Sequence, residues 1–144
     1  MINRELINPQ SIVVVGGSNN VHKPGGRLVR NLLDGKYKGE LYVVNAKEDD
    51  VQGLKSYHSA HDIPETELAI ISIPGPACPE AVDVLAKQKN VKAFIVISAG
   101  FGEETHEGAI LEEQMLKSIN EAGASLIGPN CIGLMNMNYH GVFT

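Results

Sequence analysis

The sequence has few of the features that mark secreted or membrane-bound proteins. It contains two cysteines, Cys78 and Cys131, and they show no paired spacing. This excludes a disulfide scaffold and favours a reducing compartment. The N-terminal residues lack the apolar core of a signal peptide, and no apolar run is long enough to span a membrane. We therefore expect a cytoplasmic protein with no membrane partner.

The sequence also lacks an excess of basic residues. Its formal net charge is -5, which argues against general nucleic-acid binding because that function favours a basic face. It does not exclude an anionic small molecule, because local hydrogen-bond donors decide such binding. The acidic residues at 48–50 and 103–104 have no spacing typical of metal ligands. We expect them to lie in solvated loops, and we predict no metal site.

What is present is an alternation of short apolar runs and helical patterns in a chain of single-domain length, 144 residues. Segment 47–67 is polar, and we interpret it as a loop with a short helical turn. The predicted strands are almost wholly apolar, which is typical of parallel strands covered on both faces. The sequence predicts an α/β, Rossmann-like, doubly wound, mainly parallel sheet with helices on both faces. We predict strands at 11–17, 39–46, 68–74, 92–100 and 124–130, and helices at 25–35, 79–90 and 106–123.

Small or polar residues follow every predicted strand. In open α/β sheets, ligands lie outside the carboxyl ends of the strands. The residues that follow the strands therefore form the candidate site, and they suit a long ligand laid across the edge of the sheet. They are Gly16, Gly17 and Ser18; Asn45 and Lys47; Pro74 and Gly75; Ser98, Ala99 and Gly100; and Asn130 with Cys131.

The first of these loops is typical of phosphate binding. Gly16 and Gly17 permit a tight turn and the approach of a ligand, and Ser18 supplies a hydroxyl group. A helix that begins near Gly25 directs its free N–H groups and its positive dipole end at the loop. The interval from Gly16 to Gly25 is too long for the dinucleotide motif G-x-G-x-x-G, so the loop does not identify its ligand.

The end of the second strand narrows the choice of ligand. An NAD site expects an acidic residue here to hold the ribose hydroxyls, but this chain has Asn45 and then Lys47. A lysine suits a phosphate on the adenosine ribose. NADP carries such a phosphate at the 2′ position and coenzyme A carries one at the 3′ position, so both remain open from these residues.

Several motifs along the chain carry a family resemblance. They are "SIVVVGGS", "RNLLDGKYKGELYVVNAK", "GLKSYHSAHDIP", "AIISIPGP", "VISAGF" and "GPNCIGLMN", and they cover roughly residues 8–138. With these motifs the chain resembles the CoA-binding domain of NDP-forming acyl-CoA synthetases, such as the ADP-forming acetyl-CoA synthetase. It is similar also to the N-terminal domain of the succinyl-CoA synthetase alpha subunit.

The resemblance implies a role for each strand end in binding coenzyme A. Gly16, Ser18 and Lys23 would hold the pyrophosphate or adenosine region, together with the neighbouring Gly17, Gly25 and Asn45. Lys47 would face the 3′-phosphate, and Ile73, Pro74 and Gly75 would line the adenine and ribose side. Ser98, Ala99 and Gly100 would follow the pantetheine arm, and Asn130 and Cys131 would lie near the thiol.

The resemblance also implies an activity for a longer protein. Such enzymes convert an acid, CoA and ATP to acyl-CoA, ADP and phosphate through a phosphohistidine, which a later domain carries. The histidines of this chain match no such motif, and no His or acid is set beside Cys131 to activate it, so we assign no catalytic residue. We expect residues 1–144 to be one CoA-binding domain, the N-terminal part of a ligase with phosphohistidine and nucleotide-grasping domains, and inactive alone. The alternatives are an NADP(H)-binding redox or sensor domain and a stand-alone CoA-binding protein.

Overall fold

The computed structural model describes residues 2–144. Strands and helices follow one another along most of this length. The helices are α1 (Arg4–Ile7), α2 (Pro24–Asp34), α3 (Cys78–Gln88) and α4 (His106–Glu121). The strands are β1 (Ser11–Val15), β2 (Glu40–Val44), β3 (Asp50–Val51), β4 (Leu54–Tyr57), β5 (Leu68–Ile71), β6 (Ala93–Val96), β7 (Ser125–Ile127), β8 (Gly133–Met135) and β9 (His140–Val142).

Within the described residues, seven strands form one sheet in the order β3-β4-β2-β1-β5-β6-β7. All neighbours in it are parallel except β3 and β4, which form an antiparallel pair. Numbered among the parallel strands alone, the order is 3-2-1-4-5-6, the arrangement of doubly wound dinucleotide-binding folds. The direction of winding reverses between β1 and β5, which is where such folds bind their ligands.

The apolar strands divide their side chains between two cores, one on each face of the sheet. In β1, Val13 and Val15 pack with α3 and α4, whereas Ile12 and Val14 pack with α1 and α2. The strands β5 and β6 alternate in the same way, because successive side chains of a strand point to opposite faces. The predicted parallel sheet with helices on both faces is confirmed.

The interpretation of segment 47–67 as a loop with a helical turn was incomplete. The helical turn is present, as a 3₁₀ turn at Ala60–Asp62, but the segment also forms β3 and β4. Both strands are short, and β3 at the edge of the sheet has one exposed and one buried residue, so neither leaves a clear apolar pattern. The consequence is that β4 adds a strand end that the sequence had not placed at the site.

The last residues form a second sheet, the antiparallel hairpin β8–β9, which the sequence did not predict. The hairpin packs against α2. The buried side chain of Asn31 donates hydrogen bonds to the carbonyl oxygens of Val142, at 2.8 Å, and Thr144, at 3.1 Å. The hairpin therefore belongs to the core on the α2 side of the sheet, which also contains Tyr139.

Candidate functional site

A cleft of about 370 Å³ lies at the carboxyl ends of β1, β2, β4 and β5. Its volume is within the range of about 300–1,000 Å³ that is common for small-molecule sites. Its apolar wall is formed by Val15, Val44, Ala60, Ile73, Ala77, Ala81 and Val84, and the rest of its lining by Gly16, Asn45, Ala46, Lys47, His58, Ser59, His61 and Glu80. An apolar wall with a polar rim can hold a flat base and contact charged groups outside it.

Glycines bring the start of α2 against the end of β1 beside this cleft. Gly16 has a φ of +93°, and a Cβ atom there would lie 2.1 Å from the carbonyl oxygen of Ser72. A Cβ atom at Gly25 would lie 1.9 Å from the carbonyl oxygen of Gly16. Both positions therefore need glycine for the packing of the chain itself. The sequence predicted a tight turn and the approach of a ligand at Gly16, and a helix start near Gly25; the packing of the chain is by itself enough to require glycine at both positions.

The first turn of α2 has no side-chain cap. Its N-cap residue is Lys23, whose side chain accepts no capping hydrogen bond, and Pro24 begins the helix. By contrast, α4 is capped by Thr105, whose hydroxyl oxygen accepts a hydrogen bond from the N–H of Gly108 at 2.8 Å. Uncapped N–H groups and the helix dipole favour an anion, so the α2 end is the better phosphate site of the two.

Asn45 lines the cleft, but its side chain is engaged within the protein. Its Nδ2 donates to the carbonyl oxygen of Gly17 at 2.8 Å, and its Oδ1 accepts from the backbone N–H groups of Lys47, at 2.9 Å, and Glu48, at 3.0 Å. Asn45 therefore joins the ends of β1 and β2 and sets the turn that carries Lys47. The Lys47 side chain is exposed at the rim and pairs with no carboxylate of the described chain, so it is available to a phosphate.

Three polar residues of the rim come from the segment after β4 and were not predicted. His58, Ser59 and His61 follow Tyr57, the last residue of β4. The Nε2 atom of His58 lies 2.8 Å from Oδ1 of Asp49. The rule that strand ends carry the site would have found these residues if the sequence had shown that a parallel strand ends at Tyr57.

The predicted residues after β5, β6 and β7 lie beside the cleft in a second row. Ile73 lines the cleft and links it to this row, because its N–H donates to the Ser98 hydroxyl oxygen at 3.1 Å and its carbonyl accepts from the same hydroxyl. The N–H of Asn130 donates to the carbonyl oxygen of Ser98 at 3.0 Å. Pro74, Gly75, Ala99, Gly100 and Cys131 lie at the same strand ends, outside the lining of the cleft.

Of the remaining predicted residues, Gly17, Ser18 and Lys23 lie in the loop that joins β1 to α2, and Gly25 lies in the first turn of α2. Gly17 and Gly25 are buried. The Ser18 hydroxyl oxygen accepts a hydrogen bond from the N–H of Asn20 at 3.0 Å. Its hydroxyl hydrogen remains able to donate. The structure thus brings all the predicted residues to one edge of the sheet, and four of them, Gly16, Asn45, Lys47 and Ile73, into the lining of the cleft.

Both cysteines are free and neither has the surroundings of an activated nucleophile. Burial raises the pKa of the Cys131 thiol and that of the Cys78 thiol. The Sγ atom of Cys131 lies 3.3 Å from the carbonyl oxygen of Val96, as a weak donor. A raised thiol pKa disfavours the thiolate that nucleophilic chemistry needs.

Residues 2–144 contain neither a metal-ligand cluster nor a membrane-spanning helix. No group of three or more histidine, cysteine, aspartate or glutamate side chains is placed to hold a metal ion. In the same residues, no helix has the length and apolar character needed to cross a membrane.

Comparisons with known proteins agree with the fold. Residues 10–137 match the CoA binding domain family. The chain is 39% identical over 134 residues to an ADP-forming acetate–CoA ligase II of Archaeoglobus fulgidus, covering 92% of this chain and 20% of that protein. It is 39% identical over 133 residues to the alpha subunit of the ADP-forming acetate–CoA ligase II of Pyrococcus furiosus, covering 91% of this chain and 28% of that subunit.

A solved structure gives the same result. The fold matches that of the apo form of dinucleotide forming acetyl-coenzyme A synthetase 1 of Ca. Korarchaeum cryptofilum, with a TM-score of 0.89 and 33% identity. The match covers 97% of this chain and 31% of that one, so the chain spans less than a third of these relatives. The chain belongs to the CoA-binding domain family, in the form that occurs in ADP-forming acyl-CoA synthetases.

Proposed function

We propose that the chain binds coenzyme A in the cleft at the carboxyl ends of β1, β2, β4 and β5, and that it provides the CoA site of an ADP-forming acyl-CoA synthetase. One observation carries the proposal. An apolar cleft is lined by the exposed, unpaired Lys47 and by Gly16, and the uncapped first turn of α2 packs against the Gly16 carbonyl at Gly25. A base, a diphosphate and a ribose phosphate are the three parts of CoA that such surroundings would hold.

The adenine ring fits the apolar wall, where Val44, Ile73 and Val84 would contact its faces. The diphosphate would lie at the first turn of α2, where the backbone N–H groups and the Lys23 ammonium oppose its charge. Lys47 would pair with the 3′-phosphate. These three contacts would bury the base and leave the phosphates at the rim, where they keep part of their hydration.

The pantetheine arm would follow the second row of strand ends, past Ser98, Ala99 and Gly100. This would bring the thiol near Asn130 and Cys131. In this reading the residues of the chain bind and orient CoA, and the phosphohistidine and nucleotide-grasping domains of the ligase carry the phosphate transfer. We therefore expect no acyl-CoA from acetate, ATP and CoA with this chain alone.

NADPH is the competing ligand because its 2′-phosphate would face the same lysine. Calorimetric titration with CoA, dephospho-CoA, NADPH and NADH separates the two readings. We predict that CoA binds more tightly than NADPH or NADH, because the second row of strand ends suits the pantetheine arm. Binding of NADPH with equal or higher affinity would contradict the proposal and favour the redox or sensor reading. If the chain binds CoA and its organism has none of the other ligase domains, the alternative of a stand-alone CoA-binding protein would be favoured.

A further inference from the structure

The turn between β3 and β4 reaches across to residues 16–26, which run from the end of β1 through the first turn of α2 and are here called the phosphate loop. Gln52, the first residue of that turn, donates from Nε2 to the carbonyl oxygens of Ser18 and Gly26, each at 2.9 Å. Its backbone N–H donates to Oδ1 of Asn19 at 2.7 Å. One side-chain amide thus joins the beginning of the phosphate loop to its end.

A second contact strengthens the link between the turn and the loop. Nδ2 of Asn19 donates to the carbonyl oxygen of Asp50 at 2.9 Å. Asn45 donates to the Gly17 carbonyl oxygen in addition. Side-chain amides thus donate to three carbonyl oxygens of the phosphate loop, those of Gly17, Ser18 and Gly26. Carbonyl oxygens repel a phosphate, so donors that hold them in place reduce that repulsion and leave the N–H groups for the anion.

Gln52 is not the residue that its turn favours. It has a φ of +51° and is followed by Gly53 with a φ of +89°, as in a two-residue type I′ turn, where Asn-Gly and Gly-Gly are preferred. Its Oε1 atom is buried and accepts no hydrogen bond from the described chain. The conformation of the turn thus disfavours glutamine. Its longer side chain, however, makes the two hydrogen bonds to the phosphate loop.

We propose that Gln52 is a positioning residue for the diphosphate of the bound ligand, acting by clamping the two ends of the phosphate loop. The inference rests on the proposed CoA site. It adds a residue from the edge of the sheet, outside the lining of the cleft, to the groups on which affinity depends.

Gln52→Asn tests this, because asparagine suits the left-handed turn better but has a side chain too short to reach both carbonyl oxygens. We expect the free energy of unfolding to change little, because the better fit to the turn offsets the loss of the hydrogen bonds. We also expect affinity for CoA and for dephospho-CoA to fall by the same factor, about ten-fold, the size expected when one or two neutral hydrogen bonds that hold the loop are lost. Amide hydrogen exchange in residues 17–26 should be faster in the variant.

Two further variants make the result decisive. Gln52→Gly also suits the turn and removes the whole side chain, so it gives the same answer if the asparagine variant folds poorly. Gln114→Asn, at an exposed position on α4, is the matched control and should bind both ligands normally. Unchanged affinity in both Gln52 variants, with CoA binding intact in the wild type, would overturn the inference alone. Absence of CoA binding by the wild type would overturn the proposed function and the role of Gln52 with it.

Discussion

Among single residues, Lys47 provides the sharpest test of how the ligand is oriented. Its ammonium is exposed at the rim of the cleft and would pair with the 3′-phosphate of CoA. A charge-assisted contact is worth about 1.5–3 kcal/mol, and solvent screening lowers that value. We predict that Lys47→Ala weakens CoA binding about ten-fold and leaves the affinity for dephospho-CoA, which lacks the partner phosphate, nearly unchanged.

The two ligands and the two proteins form a thermodynamic cycle, measured by calorimetry, that isolates this contact. Lys117→Ala on the exposed face of α4 removes the same charge at a distance from the cleft and should affect neither ligand. If Lys47→Ala weakens both ligands equally, or neither, the 3′-phosphate does not contact this lysine.

At the same scale, the glycines show what a sequence can and cannot reveal. The pattern predicted a turn at Gly16 and Gly17 and a helix start near Gly25, and both are present. It did not reveal that Gly25 faces the Gly16 carbonyl, because the spacing between these two residues matches no motif that would predict a contact. Asn45 was predicted as a ligand contact and lines the cleft, and the sequence did not reveal that its side-chain atoms also bond to the backbone.

At the scale of the elements, the packing of the β8–β9 hairpin on α2 depends on Asn31. Its buried side chain donates to the carbonyl oxygens of Val142 and Thr144. Removing the donor leaves at least one buried carbonyl without a partner, which costs about 1–3 kcal/mol. We predict that Asn31→Ala lowers the free energy of unfolding by that amount in urea denaturation.

The control is Asn120→Ala on α4, which changes the same residue type at an exposed position. It should change the free energy of unfolding by no more than about 0.5 kcal/mol. Equal stability of the two variants would mean that Asn31 does not hold the hairpin in place.

The elements also differ in how well the sequence predicted them. The central strands β1, β5 and β6 were recognised because both of their faces are buried, which makes them continuous apolar runs. The strands β3 and β4 were missed because they are short and partly exposed, and because Gln52-Gly53 is not one of the common turn dipeptides of hairpins. As a result, the residues of the rim that follow β4 were not predicted.

For the whole molecule, the fold and the sheet edge at which the cleft lies followed from the sequence, since both depend on the order and burial of strands. The depth and lining of the cleft did not, because they depend on how α3 and the segment after β4 pack above the strand ends. Gly16, Asn45, Lys47 and Ile73 were among the predicted residues, whereas the place of His58, Ser59 and His61 in the lining was found only in the structure.

A crystal structure of the chain with CoA tests the central claim most directly. The account predicts adenine against the apolar wall beside Val44 and Ile73, the 3′-phosphate within hydrogen-bond distance of Lys47 Nζ, and the diphosphate at the first turn of α2. CoA bound at another surface, or with its adenosine outside the cleft, would contradict it.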